Sequence, residues 1–287
     1  MMTRALYASQ LANRERLVAS FKGRIDAFFA QHRPEDTTLI LDSTGPSATR
    51  HYLFLRALGM DRLHRMKAVY GFSGGAFAYL GFHAVHGDAL AMPIEHFYRR
   101  FDKIFRQCHH PEWSSPAKAL TRLGLQKGSP FKPAALERVL LGIFSEDFLN
   151  QPLHTLRKNF VPFVGIKGQD AVQNARELMS PEAAYRDLLM SVCRVPAFYG
   201  KPDASSPLFD AAFAKGYKKS LKELTRDSGG PVLVSTPWRD GDKGGTRYIN
   251  CFGHNQQKLA MLRDFTLLML NLPNKGYQQD LEVAFSG

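Results

Sequence analysis

The chain has 287 residues, 44% of them hydrophobic and 11% aromatic, with 38 basic against 26 acidic side chains and a formal net charge of +12. That composition can bury a full core, and it excludes a disordered chain or a disulfide framework, since Cys108, Cys193 and Cys251 are odd in number and far apart. The cysteine spacing also excludes a structural zinc site, and the longest nearly apolar stretch, 68–86, is broken by Gly71, Ser73, Gly74, Gly75, Gly81 and His83, which makes it a poor membrane span.

Neither a linker-like stretch nor an internal repeat divides the sequence, so one domain over 1–287 is expected. The first residues carry Arg4, Arg14, Glu15, Arg16 and Lys22 and lack the apolar block of a secretory signal. A cytoplasmic location is expected, in the protein's own cell or after delivery into another. The basic balance favours an anionic membrane surface, an acyl carrier or a CoA thioester, or is simply a solvated surface. Nucleic acid is not expected, because no recognised binding motif is present.

In residues 8–30, Leu11, Leu17, Phe21, Ile25 and Phe28 recur at intervals that fit an amphipathic helix ending near Pro34. Residues 37–41 are β-branched and apolar, a strand that runs into the turn formers Asp42, Ser43, Thr44, Gly45, Pro46 and Ser47. Residues 51–58 return to helical spacing. A second unit of the same kind follows: a strand at 66–70, a tight turn at 71–75 and an apolar helix at 76–84. Repeated strand-to-helix units imply an α/β fold with a mainly parallel sheet covered on both faces, and chemistry at the carboxyl ends of its strands.

Beyond this, residues 93–150 read as mostly helical, with breaks at 110–116 and 128–130. Residues 156–165 and 231–236 read as further strands, and Pro162 places the first at a sheet edge or a bulge. The Gly-rich charged stretch 238–246 reads as a mobile surface loop, and residues 256–270 as a terminal helix. By function the chain divides into an N-terminal helix (1–34), a loop-and-turn region (37–92), a helical insertion (93–150), a second half (151–236) and a C-terminal loop and helix (237–287).

Gly71-Phe72-Ser73-Gly74-Gly75 matches G-x-S-x-G, in which a serine sits at the apex of a strained turn between strand and helix. Gly71 and Gly75 are required because the turn leaves no room for Cβ atoms, and the helix amino end offers positive potential to an oxyanion. A glycine-rich turn of this kind can also be purely structural; the strand before it and the apolar helix after it favour a nucleophile at Ser73. An α/β-hydrolase would need a late histidine, and the one residue available, His254, has no supporting strand-loop context.

The segment 41–48 followed by Leu53-Phe54-Leu55-Arg56-Ala57-Leu58 resembles the oxyanion loop and following helix of patatin-like phospholipases, with the G-x-S-x-G serine one helix and strand later. Ser191 to Phe198, with a proline at 196, and then Leu208-Phe209-Asp210-Ala211-Ala212 resemble the family's acid-bearing segment. The resemblance spans about residues 37–236. It implies a three-layer α/β/α sandwich with a helical insertion after the nucleophile helix, Ser73 and Asp210 as a catalytic dyad, and the backbone N–H groups of Thr44, Gly45 and Gly74 as the oxyanion hole. It implies no cofactor and no metal.

The departures from the family pattern are local. Ser43 and Thr44 replace glycines, so only Gly45 keeps free access to positive φ. Pro46 stiffens the loop, and Ser47 stands where a basic residue is usual, with Arg50 near enough in sequence to substitute. Ala211-Ala212 replaces a glycine pair, and Asp240 or Asp242 are the alternative acids.

In residues 96–107 one face carries Phe97, Phe101, Ile104 and Phe105 and the other Arg99, Arg100, Lys103 and Arg106. This is a lid over an acyl pocket or a membrane contact, or an ordinary amphipathic helix on the core. His109-His110 lacks a third ligand and is not a metal site. The expected function is a serine hydrolase cleaving a fatty-acyl ester, phospholipid or acyl-thioester through an acyl-enzyme. Two alternatives are an acyltransferase passing the acyl group to an amine, alcohol or carrier protein, and an inactive lipid- or protein-binding relative.

Overall fold

A computed structural model describes residues 4–107, 117, 133–196, 205, 207–253 and 257–285. In chain order its elements are α1 (Arg4–Phe29), β1 (Thr38–Leu41), α2 (Thr49–Leu58), α3 (Met60–Arg65), β2 (Ala68–Phe72), α4 (Gly74–His86), α5 (Ile94–Arg106), α6 (Pro133–Ile143) and α7 (Glu146–Leu149). There follow β3 (Phe160–Ile166), β4 (Val172–Asn174), α8 (Ala175–Leu178), α9 (Tyr185–Cys193), β5 (Leu208–Asp210), α10 (Tyr217–Asp227), β6 (Val232–Thr236), β7 (Gly241–Lys243), β8 (Thr246–Asn250), α11 (Gln257–Met269) and α12 (Lys275–Phe285).

The strands form one mixed sheet in the order β4-β3-β2-β1-β6-β8-β7, with β5 also paired to β3. Neighbours from β3 through β8 are parallel, while β4 and β5 run antiparallel to β3 and β7 antiparallel to β8. Successive residues of a strand point to opposite faces. Leu39 and Leu41 accordingly join one apolar cluster with Phe21, Phe54 and Tyr277, whereas Ile40 joins a separate one with Val232, Val234 and Tyr217. Burial on both faces is why β1 is apolar without alternation, and helices flank the sheet as an α/β fold requires.

The edge of β3 is shared. Residues 160–163 pair with β2, and residues 164–166 pair with β5. Because β4 occupies the opposite edge at 163–165, β2 and β5 must lie in one row and meet end to end. Phe72 and Asp210 therefore stand next to each other along that row, and Ser73 follows directly.

One expectation holds and two are corrected. Pro162 pairs with Gly71 of β2 on one side and stands at a locally open edge on the other, as an edge position allows. The bond from Val69 N–H to Asn159 O turns odd-numbered residues of β3 toward β2, so the missing N–H of Pro162 faces the β4 side, where pairing begins only at Phe163. The stretch 238–246, expected as a surface loop, is at the surface but holds β7 and a hairpin turn at Gly244 and Gly245, whose φ of 56° and 78° are both positive, as a two-residue type I′ turn demands. Finally, α12 follows the terminal helix that the sequence suggested. No helix among the described residues is long and apolar enough to cross a membrane. The breaks at 110–116 and 128–130, His109, His110 and His254 lie outside the described residues.

Candidate active site

Ser73 ends β2 and caps α4 with φ 49° and ψ −122°, a conformation that costs a non-glycine residue about 1–3 kcal/mol and persists only when its surroundings fix it. The surroundings do so through contact. A Cβ on Gly75 would lie 2.2 Å from the carbonyl oxygen of Leu41, and one on Gly71 would lie 2.8 Å from the Phe160 ring. Helix α4 thus sits directly against the end of β1, and both flanking positions accept only glycine. The serine itself is 3% exposed.

Asp210 closes β5 opposite it. The Ser73 hydroxyl donates to Asp210 Oδ2 at 2.5 Å, and the Ala212 N–H donates to Oδ1 at 2.9 Å. One carboxylate oxygen is thereby fixed by the backbone and the other is presented to the serine. Burial raises the Asp210 carboxyl to about 6, with the hydrogen bonds from Ser73 and Ala212 holding it lower than burial alone would.

The loop after β1 forms the third side. Gly45 has φ 53°, and a Cβ there would lie 2.8 Å from the Phe265 ring, so glycine is needed both for conformation and for space. Thr44 sits at φ −124° and ψ 0°, open to any residue, so the loop needs no glycine there. The backbone N–H groups of Thr44, Gly45 and Gly74 have no hydrogen-bond partner among the described residues. Gly45, Pro46, Ser73, Gly74 and Asp210 line one cavity of about 240 Å³. Thr44 is fully buried beside it, its hydroxyl without a partner among the described residues, and its side chain packs toward Gly74.

Two buried polar networks hold this loop. Asp42 accepts hydrogen bonds from Thr236 Oγ1 (2.6 Å), from the Ser43 N–H (2.7 Å) and from the Tyr217 hydroxyl. Burial raises the Asp42 carboxyl and keeps the Tyr217 phenol protonated as the donor. His51 bridges the Asp42 carbonyl (2.7 Å) and Ser235 Oγ (3.0 Å), and burial lowers it to about 4. It is a neutral structural imidazole, remote in role from a catalytic base. On the other side, Ser47 donates to Asp264 (2.7 Å) and Thr49 to Asp280 (2.9 Å), carboxylates supplied by α11 and α12. Arg50 does not take over from Ser47: it pairs with Asp280 at 3.3 Å and lies over the Phe252 ring.

Of the three aromatic residues expected at a lid, Phe101 and Phe105 line the cavity. Phe97 does not; it is 1% exposed and packs edge-on against Phe101, supporting the wall from behind. The remaining apolar wall comes from α6, through Leu136, Val139 and Leu140, and from α11, through Met261, Phe265 and Leu268. The sequence reading missed both, because neither helix carries a motif. The alternative acids lie elsewhere: Asp240 pairs with Arg24, and Asp242 with Arg247 across the β7–β8 hairpin. Among the described residues no group of three or more His, Cys, Asp or Glu could hold a metal.

No protein-family model, no curated protein and no solved structure matches the chain.

Proposed function

We propose that the protein is a serine acyl hydrolase of patatin-like, three-layer architecture, acting on a fatty-acyl ester or thioester through a Ser73–Asp210 dyad. The observation that carries this reading is the 2.5 Å hydrogen bond between a strained, helix-capping serine and a buried carboxylate, made beside backbone N–H groups that have no partner among the described residues. A carboxylate near 6 is ionised at neutral pH yet basic enough to accept the proton of Ser73 Oγ as that oxygen adds to the acyl carbonyl. The tetrahedral oxyanion develops at the mouth of α4, where Gly74 and Gly45 offer N–H groups, each such donor stabilising it by roughly 3–4 kcal/mol. Collapse expels the alcohol or thiol, which takes up the proton held by Asp210. Asp210 then deprotonates the water that releases the acyl group.

The apolar wall of the cavity suits an acyl chain and excludes competing polar groups. The neutral, fully engaged state of His51 fits a dyad that needs no imidazole. A fluorophosphonate probe should label Ser73, and Ser73→Ala should lose both labelling and hydrolysis of a medium-chain ester. Unchanged hydrolysis by the variant overturns the reading.

A further inference from the structure

Seven large apolar side chains are exposed among the described residues, and four of them, Phe213 (46%), Trp238 (49%), Leu259 (65%) and Leu262 (62%), belong to the elements that frame the Ser73 cavity. Phe213 and Trp238 line its mouth from the loops after β5 and β6. The two leucines lie outside the cavity, on the helix that walls it. At about 100° per residue, Leu262 lies about 60° around α11 from Phe265, and Leu259 about 60° further, so an apolar arc runs from the cavity onto the open surface.

Cations flank this arc. Lys215 and Lys218 follow Phe213 and are exposed, Arg239 follows Trp238 and stacks on Tyr248 at 4.3 Å, and Arg263, 54% exposed, adjoins Leu262. The nearby acids each have a cation beside them: Asp170 lies 3.9 Å from Lys215, Asp240 pairs with Arg24, and Asp264 is buried beneath Arg263.

We infer that this rim docks on an anionic phospholipid surface, seating the cavity mouth against the bilayer so that an acyl chain enters without crossing water. Projecting Trp, Phe and Leu side chains among Lys and Arg match the depth profile of a lipid interface, with apolar groups below the headgroups and cations at their level. The chain's charge of +12 acts in the same direction. The inference rests on the hydrolase reading only for what the surface delivers; the docking itself is independent of catalysis.

The test uses a Ser73→Ala, Trp113→Phe protein, which forms no acyl-enzyme and leaves Trp238 as its one tryptophan. Vesicles of equal parts phosphatidylglycerol and phosphatidylcholine should shift its emission to the blue and carry it down on sedimentation. Phosphatidylcholine alone should bind much less, and raised salt should weaken the anionic binding. Adding Leu259→Ser and Leu262→Ser should weaken binding about tenfold or more, while the same pair in the wild-type background leaves hydrolysis of a soluble short-chain ester unchanged.

Absence of vesicle uptake, or uptake that ignores lipid charge or the leucine pair, overturns the inference. So does a solution dimer that the leucine pair dissociates without any vesicle binding, which assigns the rim to a second copy. Failure of Ser73 labelling refutes the hydrolase reading and leaves the vesicle result standing.

Discussion

Replacing Asp210 with asparagine should abolish turnover and at the same time stabilise the fold. The carboxyl moves from an ordinary 3.8 to about 6 because it is 1% exposed. Below pH 4 it is neutral in both folded and unfolded chains and adds no strain. As pH rises from about 4 to 6, the unfolded chain releases this proton first, so stability is lost, and above 6 the full penalty applies. A difference of about 2 pH units at 1.36 kcal/mol each amounts to about 3 kcal/mol at pH 8. The introduced amide can accept from the Ala212 N–H with its oxygen and donate to Ser73 Oγ with its nitrogen, so neither partner is orphaned. Thermal unfolding followed by circular dichroism should place Asp210→Asn roughly 5–10 °C above the parent at pH 8, with the gap closing toward pH 4. Equal melting temperatures across that range would refute the assignment of a burial-strained carboxylate.

Ester hydrolysis should follow the same group. With the base ionised only above its raised value, kcat/KM should fall tenfold per pH unit below about 6, and an acid limb centred near 4 would separate Asp210 from catalysis. Gly75→Ala should destabilise the protein by about 3 kcal/mol or more in urea unfolding, because the new Cβ meets the Leu41 carbonyl at 2.2 Å; stability equal to the parent would mean that α4 does not approach β1 so closely. Asp264→Asn should lower kcat about tenfold with KM little changed, and slow rather than abolish labelling of Ser73, since it loosens the Ser47 tie without touching the dyad. A rise in KM alone would place Asp264 in substrate binding instead.

The parts of the fold that were legible in the sequence are those whose causes are local. β1, its turn and the β2–Ser73–α4 unit follow from apolar runs bounded by Gly, Pro, Ser and Asp, and the structure differs there by a residue or two at each boundary. Asp210 was selected by resemblance alone, since Leu208–Asp210 is only three residues long and has no periodicity of its own. What the sequence hid is long-range. Asp264 and Asp280 look like ordinary surface acids on amphipathic helices until Ser47 and Thr49, more than two hundred residues away, are seen to bond to them. Pro162 could be read only as an edge or a bulge, because which side of β3 its nitrogen faces is a property of register rather than of composition.

The attachment of the β1 loop to α11 and α12 bears on the order in which a growing chain becomes competent. Ser73, Asp210 and the strands that align them are all synthesised before Asp264 and Asp280 emerge. A nascent polypeptide can therefore assemble its sheet and bring the hydroxyl to the carboxylate while the neighbouring amide donors are held by the Asp42 network alone. The final two helices add the second tie, so any proteolytic clipping near the C-terminus should loosen the loop after the central architecture is complete.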